Sequence, residues 1–159
     1  MKPPIVDFSL FDVNKVIHGK EEIEKINPHR FELGLLDGIL YTDWEGGRAV
    51  GFHDVPMDPF WARGHFPGKP MMPGVLICEC AAQVCAWFAT STGVMGGSLI
   101  GLGGLNDVRF RAPVLPGDKL VVSLVREKFR QNFLINGLFQ GFVNEEMVVE
   151  GMIKGVAIR

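Results

Sequence analysis

Hydrophobic positions along this chain form one long continuous block and several alternating ones. From Gly74 to Ala89 (GVLICECAAQVCAWFA) nearly every residue is apolar, with Glu79 the single charge and Gln83 one turn beyond it. A block of that length reads as a helix, and a helix apolar around its whole circumference belongs inside the molecule. Pro73 suits its start and Gly93 its end. Beyond it, strands are predicted at about 98–111, 119–130, 132–143 and 147–158, separated by Pro113, Pro116-Gly117 and Asn144-Glu145-Glu146. Ahead of it, residues 33–44 read as a strand, Glu45-Gly46-Gly47 as a turn and 48–55 as the hairpin partner. Residues 12–27 read as a short polar helical segment around Ile23 and Ile26, ended by Pro28-His29-Arg30. The stretch from Asp58 to Pro73 reads as a loop. Many strands about one buried helix make an α+β plan, an antiparallel sheet wrapped on that helix as a single domain over residues 1–159.

Composition narrows the function classes. A hydrophobic share of 47% and a charged share of 21% are those of a folded chain, not a disordered one. A net charge of -2 offers no general attraction for nucleic acid or an anionic membrane. Near the N-terminus Asp7 and Asp12 interrupt any apolar run, so no secretory signal is expected. The 74–89 block is short for a bilayer and carries Glu79 in its middle, which argues against a membrane span and leaves the cytoplasm as the expected location. Cys78, Cys80 and Cys85 sit on one predicted helix without a shared face or a neighbouring histidine, so they are expected to pack rather than pair or bind metal. The glycine-rich run Gly96 to Gly104 lacks the strand–turn–helix setting of a phosphate loop and reads as a loop entering a strand.

Two residues carry the chemical signal. A carboxyl on a buried helix is costly unless it is paired, protonated or reactive. Gln83, on the same face as Glu79, is a candidate structural partner for it. His65, flanked by Gly64 and Phe66, could equally be a packing residue by itself. The run Gly64-His65-Phe66-Pro67-Gly68-Lys69-Pro70, followed by Met72-Pro73-Gly74-Val75-Leu76, Glu79 and Gln83, changes the weighting, because a stiff loop brings an imidazole to the start of a helix bearing a lone carboxyl.

That run resembles the G-H-F-P-G-x-P-x-x-P-G-V-L-x-x-E-x-x-A-Q motif of the β-hydroxyacyl-acyl-carrier-protein dehydratases, of the hotdog superfamily. Residues 64–83 match it without a gap. Pro28-His29-Arg30-Phe31 with Leu35-Leu36-Asp37 resembles a second family segment. Arg109-Phe110-Arg111-Ala112-Pro113-Val114-Leu115-Pro116-Gly117-Asp118 resembles a third. The resemblance implies a hotdog fold, His65 and Glu79 as an acid–base pair, and a homodimer in which that pair meets across the interface, with three dimers assembling further. It also implies acyl carrier protein as the partner.

The chemistry suits the residues independently. A neutral imidazole can take the α-proton of a 3-hydroxyacyl thioester, and a desolvated carboxyl can protonate the departing hydroxyl. The first free N–H of the 74–89 helix, that of Gly74, can face the developing oxyanion. Phe66, Pro67, Gly68 and Gln83 would support the pair, and no metal or other cofactor is required. Arg109, Arg111 and Lys119, with Lys69 and Arg63 nearer the loop, are candidate docking charges for an acidic carrier. Departures from the family pattern include Glu32 in place of a common proline, and Gly101, Gly103 and Gly104 in place of bulkier residues along the acyl channel. Two other functions remain open on the sequence: a hotdog thioesterase, and a non-catalytic acyl-thioester-binding protein.

Overall fold

A computed structural model describes residues 2–159. In chain order its elements are β1 (His18–Gly19), α1 (Lys20–Glu24), β2 (Gly38–Asp43), β3 (Arg48–Asp54), α2 (Gly74–Ser91), β4 (Leu99–Phe110), β5 (Lys119–Arg130), β6 (Leu134–Val143) and β7 (Glu146–Ile158). Short 3-10 turns lie at Phe8–Leu10 and Phe31–Leu33. The strands form one sheet in the order β1-β2-β3-β5-β6-β7-β4, each pair antiparallel. α2 lies across one face and contacts β3 to β7.

The pleat explains the core. Along β5, Leu120, Val122 and Leu124 point to the helix, while Val121 joins a second cluster on the opposite face. Val84 and Phe88 of α2 are fully enclosed by that inner face together with Ile135, Phe139 and Ile153. Gly51 on β3 permits the close approach, because a Cβ there would lie 2.7 Å from Leu36 Cδ1 and 3.0 Å from Val84 Cγ2. On the outer face Val6 packs with Leu40, Val50, Phe52 and Val121. The N-terminal segment is strapped there by the Ile5 N–H donating to Gln140 Oε1 at 2.8 Å and by Phe8 set edge-on to Phe142. α2 is long and apolar enough to cross a membrane by length and composition, but here it is the core helix of the chain's own sheet.

The predicted elements need three corrections. Helix in the 12–27 segment is confined to Lys20–Glu24. The residues just before it are drawn instead to the sheet edge, where the Ile17 N–H donates to the Ile39 carbonyl at 2.8 Å and His18 pairs with Ile39. The first turn beyond α1 is closed by Arg30, whose guanidinium donates to the carbonyls of Glu24, Asn27 and His29. Residues 33–37 are not strand, because a side chain of α2 takes up their backbone groups. Gln83 Oε1 accepts the N–H groups of Leu35 and Leu36, both at 3.0 Å, and its Nε2 donates to the Leu33 carbonyl at 2.7 Å. Lastly, the glycine-rich run is strand from Leu99 onward, and α2 extends to Ser91, where Thr92 Oγ1 donates to the Phe88 and Ala89 carbonyls.

Gln83 is 1% exposed, so replacing it with leucine strands the buried N–H groups of Leu35 and Leu36 and removes the donor to the part-buried Leu33 carbonyl. Gln83→Leu is expected to lower unfolding stability by about 3 kcal/mol in urea titration. A loss under about 1 kcal/mol would mean that the 33–37 segment finds other partners.

Candidate active site

The loop between β3 and α2 is held by its own backbone. The His65 N–H donates to the Trp61 carbonyl at 2.9 Å, the Met71 N–H to the His65 carbonyl at 2.9 Å, and Phe66 and Lys69 exchange both of their hydrogen bonds. Gly68 makes the turn possible at φ 73°. The imidazole of His65 stacks on the Phe66 ring at 4.0 Å between centroids. Its Nδ1 lies 2.7 Å from the Met71 carbonyl oxygen. A carbonyl only accepts, so Nδ1 carries the proton and, in the neutral ring, Nε2 carries the lone pair.

Glu79 stands in the second turn of α2 with its side chain about a quarter exposed in the protomer (28%), less enclosed than an all-apolar helix suggests. Gln83 Nε2 donates to Glu79 Oε1 at 3.0 Å, as its place one turn later predicts. The imidazole beside the carboxyl is not His65: among the described residues no ion pair joins those two, whereas His29 Nε2 lies 3.4 Å from Glu79 Oε1. Burial pushes His29 below the usual histidine range; the Glu79 charge opposes this and Arg30 adds to it. His29 was within a motif legible in the sequence, but only as part of a resemblance. Its proximity to Glu79 depends on Asn27, whose buried Nδ2 donates to the Gln83 carbonyl at 3.0 Å and ties the segment to α2.

A cavity opens beside His29 and Glu79, walled by Ala82, Cys85 and Ala86 of α2, Ile100 to Leu102 of β4 and Ile153 to Gly155 of β7. A second groove shares His29, Ala86 and Ile100 and runs on past Thr90 and Leu99, so the two form a path along α2 under β4. Gly101 lines this path without projecting a side chain into it. At the helix start no side chain caps α2, and no hydrogen bond within the described residues takes the Gly74 N–H. The Phe110 ring lies directly against Gly74, where a Cβ would come within 2.8 Å of Phe110 Cζ.

The candidate docking charges fall into two groups. Arg111 is engaged by Glu150, through Nε at 3.0 Å and Nη2 at 2.9 Å. Lys119 lies 3.5 Å from Asp54 and 4.2 Å from the centre of the Phe52 ring. Arg109, Lys69 and Arg63 are exposed and unpaired among the described residues. A further charged cluster joins Asp37 to His53 Nδ1 at 3.0 Å and to the Asp54 N–H at 2.7 Å. Lys20 bonds Asp37 as well as the Gly34 carbonyl. Burial raises the Asp37 carboxyl, but these partners together hold it below the usual carboxylate range. The cluster braces β3 against the segment before β2.

Comparison with known proteins adds the family. A family model described as a FabA-like domain matches residues 27–152. The chain is 41% identical over 131 residues to the 3-hydroxyacyl-[acyl-carrier-protein] dehydratase FabZ of Moorella thermoacetica, covering 81% of this chain and 89% of that one. It is 41% identical over 132 residues to the protein of the same name from Herpetosiphon aurantiacus, covering 82% and 92%. Among solved structures, the dehydratase heterocomplex ApeI:P from Xenorhabdus doucetiae superposes with a TM-score of 0.72 at 15% identity, over 86% of this chain and 91% of that one. The E. coli PaaI protein superposes with a TM-score of 0.60 at 17% identity, over 86% and 88%. These structures bear out the hotdog fold expected from the sequence.

All three cysteines are buried, and desolvation raises each thiol, that of Cys85 to about 12. The folded protein is therefore expected to resist a thiol-specific reagent at neutral pH and to release three equivalents on unfolding. Rapid labelling of Cys85, which borders the cavity, would show that the cavity is wetter than its walls suggest.

Proposed function

This chain belongs to the FabA-like family, and on that premise we propose that it removes water from 3-hydroxyacyl thioesters carried on acyl carrier protein, giving trans-2-enoyl thioesters. The observation that carries this reading is the hydrogen bond from His65 Nδ1 to the Met71 carbonyl, because it turns the ring's lone pair outward as a base. Nε2 takes the proton from the carbon next to the thioester carbonyl. The electron pair left behind forms the new double bond as the C3–oxygen bond breaks, and the acidic proton of Glu79 goes to the departing hydroxyl, which leaves as water. Gln83 occupies Glu79 Oε1 with a donor, so the acidic proton belongs on Oε2. The Gly74 N–H, at the positive end of α2, faces the negative charge that gathers on the thioester oxygen. Phe66, Pro67 and Gly68 hold the loop that aims His65.

The pair works between two copies of the chain. In one protomer Glu79 has no contact with His65, and β4 has hydrogen-bonded neighbours on one side only. Its open edge carries exposed Leu99, Leu102, Leu105 and Phe110, which suits pairing with a second copy. Such dimers assemble in threes, in the cytoplasm, and the acidic carrier docks through Arg109 with Arg63 and Lys69. Arg111 and Lys119 are already committed within the chain and contribute less.

His65→Ala and Glu79→Gln are each expected to lower dehydration by about a hundredfold or more with the fold intact, followed as enoyl product from 3-hydroxyacyl carrier protein. Near-normal turnover of Glu79→Gln would remove its role as the acid, and release of free thiol without enoyl product would mark a thioesterase instead. Refolding His65→Ala and Glu79→Ala together in equal amounts makes half the dimers mixed, with one intact site in each. Recovery is then about a quarter of wild-type activity for a shared site, and none for a site within one chain. Arg109→Glu is expected to raise KM for carrier-bound substrate well above its effect on a short thioester mimic. Equal effects on both substrates would count against carrier docking there.

A further inference from the structure

We propose that His29 is a positioning residue for the acid, holding Glu79 Oε1 free of the proton by donating to it from Nε2, so that the acidic proton sits on Oε2. The inference rests on the dehydration reading above and concerns the same carboxyl. Three separate observations converge on it. His29 Nε2 and Gln83 Nε2 both approach one carboxyl oxygen, at 3.4 Å and 3.0 Å, while Oε2 makes no hydrogen bond among the described residues. Next, His29 Nδ1 is buried without a hydrogen-bond partner among the described residues. Third, the segment bearing His29 is fixed on both sides, by Asn27 to the Gln83 carbonyl and by Arg30 to the carbonyls of Glu24, Asn27 and His29.

The buried Nδ1 is unpartnered in either tautomer, so the contact at Nε2 decides where the ring's one proton goes. A proton on Nδ1 would set the Nε2 lone pair against the lone pairs of Oε1, whereas a proton on Nε2 makes a donor there. At 3.4 Å the contact is long for a hydrogen bond, as catalytic contacts commonly are before substrate tightens them. A neutral donor is what an acid catalyst needs. An imidazolium at this position would favour the ionised carboxylate and remove the proton that dehydration requires. The charges and titratable groups around the ring are Glu79 and Cys85 from α2, Lys154 from β7 and Arg30 from its own segment. Burial and Arg30 both disfavour the imidazolium, and only Glu79 favours it.

A purely structural histidine would be replaced at a cost to stability alone, so the test reads proton position and pH dependence. In the full-length protein, His29→Leu is expected to lower kcat by about tenfold with KM changed by less than about twofold. The alkaline limb of kcat is expected to move to higher pH, because losing a donor to Oε1 destabilises the carboxylate more than the acid. His29→Gln, which keeps an N–H donor at similar reach, is expected to recover most of the lost rate and return the limb to its wild-type position. Nitrogen NMR of the histidine rings in the wild-type protein is expected to find His29 protonated at Nε2, with that signal displaced in Glu79→Gln. A proton on Nδ1, an alkaline limb unmoved in His29→Leu, or no rescue by His29→Gln in a folded variant would each overturn the proposal. Absence of dehydration by the wild-type protein would instead overturn the functional reading, and the ring-nitrogen signals would still decide which atom of His29 faces Glu79.

Discussion

A buried glutamine side chain joins the parts of this molecule that would otherwise be independent. Gln83 lies in the middle of α2 and spends both ends of its amide. The oxygen takes two backbone N–H groups from the segment before β2, and the nitrogen reaches the Leu33 carbonyl and the Glu79 carboxyl. Its own backbone carbonyl receives Asn27, which sets the place of His29. A polar group without access to water is tolerated only when its hydrogen bonds are made, and here making them fixes where an irregular segment crosses the core helix. The same interaction that satisfies the interior thus aligns the carboxyl with the segment that bears His29.

Around that centre, two imidazoles receive opposite assignments from their surroundings. His65 stands on a loop with Nδ1 against a carbonyl, so in the neutral ring the lone pair lies on Nε2. His29 stands half-buried with Nε2 against a carboxyl, beside a guanidinium, and its other nitrogen is buried without a hydrogen-bond partner among the described residues. Each difference comes from backbone placement rather than residue type. Within the protomer the carboxyl has only one of these rings beside it, His29, which approaches the same oxygen as Gln83.

The sheet sets the limits of one protomer. β4 is twelve residues long, is paired along one side only and exposes large apolar side chains. Long open edges invite a further strand, and within the protomer Glu79 pairs with His29 rather than His65. The edge and the site are therefore the two features on which the proposed pairing of chains rests.

Much of this was legible in the sequence. The continuous apolar block could only be a buried helix, and the alternating segments after it could only be strands with one face on that helix, because side-chain periods of 3.6 and 2 are set by the backbone itself. The strands from Leu99 to Ile158 accordingly fall within two residues of the predicted bounds. The Glu79–Gln83 contact followed from spacing, and the candidacy of His65 and Glu79 from the family resemblance. What tertiary structure alone decided were the features that depend on partners distant in sequence. Residues 33–37 are kept out of the sheet by a glutamine about fifty positions later. Residues 17–19 are drawn to the edge of β2 rather than coiled into helix. Arg111 and Lys119 are withdrawn from the surface charge by Glu150 and by Asp54 with Phe52, leaving Arg109 free. His29 meets Glu79 across fifty residues of chain. Local pattern carries propensity and period, but a hydrogen bond or ion pair across the core exists only once folding has brought its two ends together.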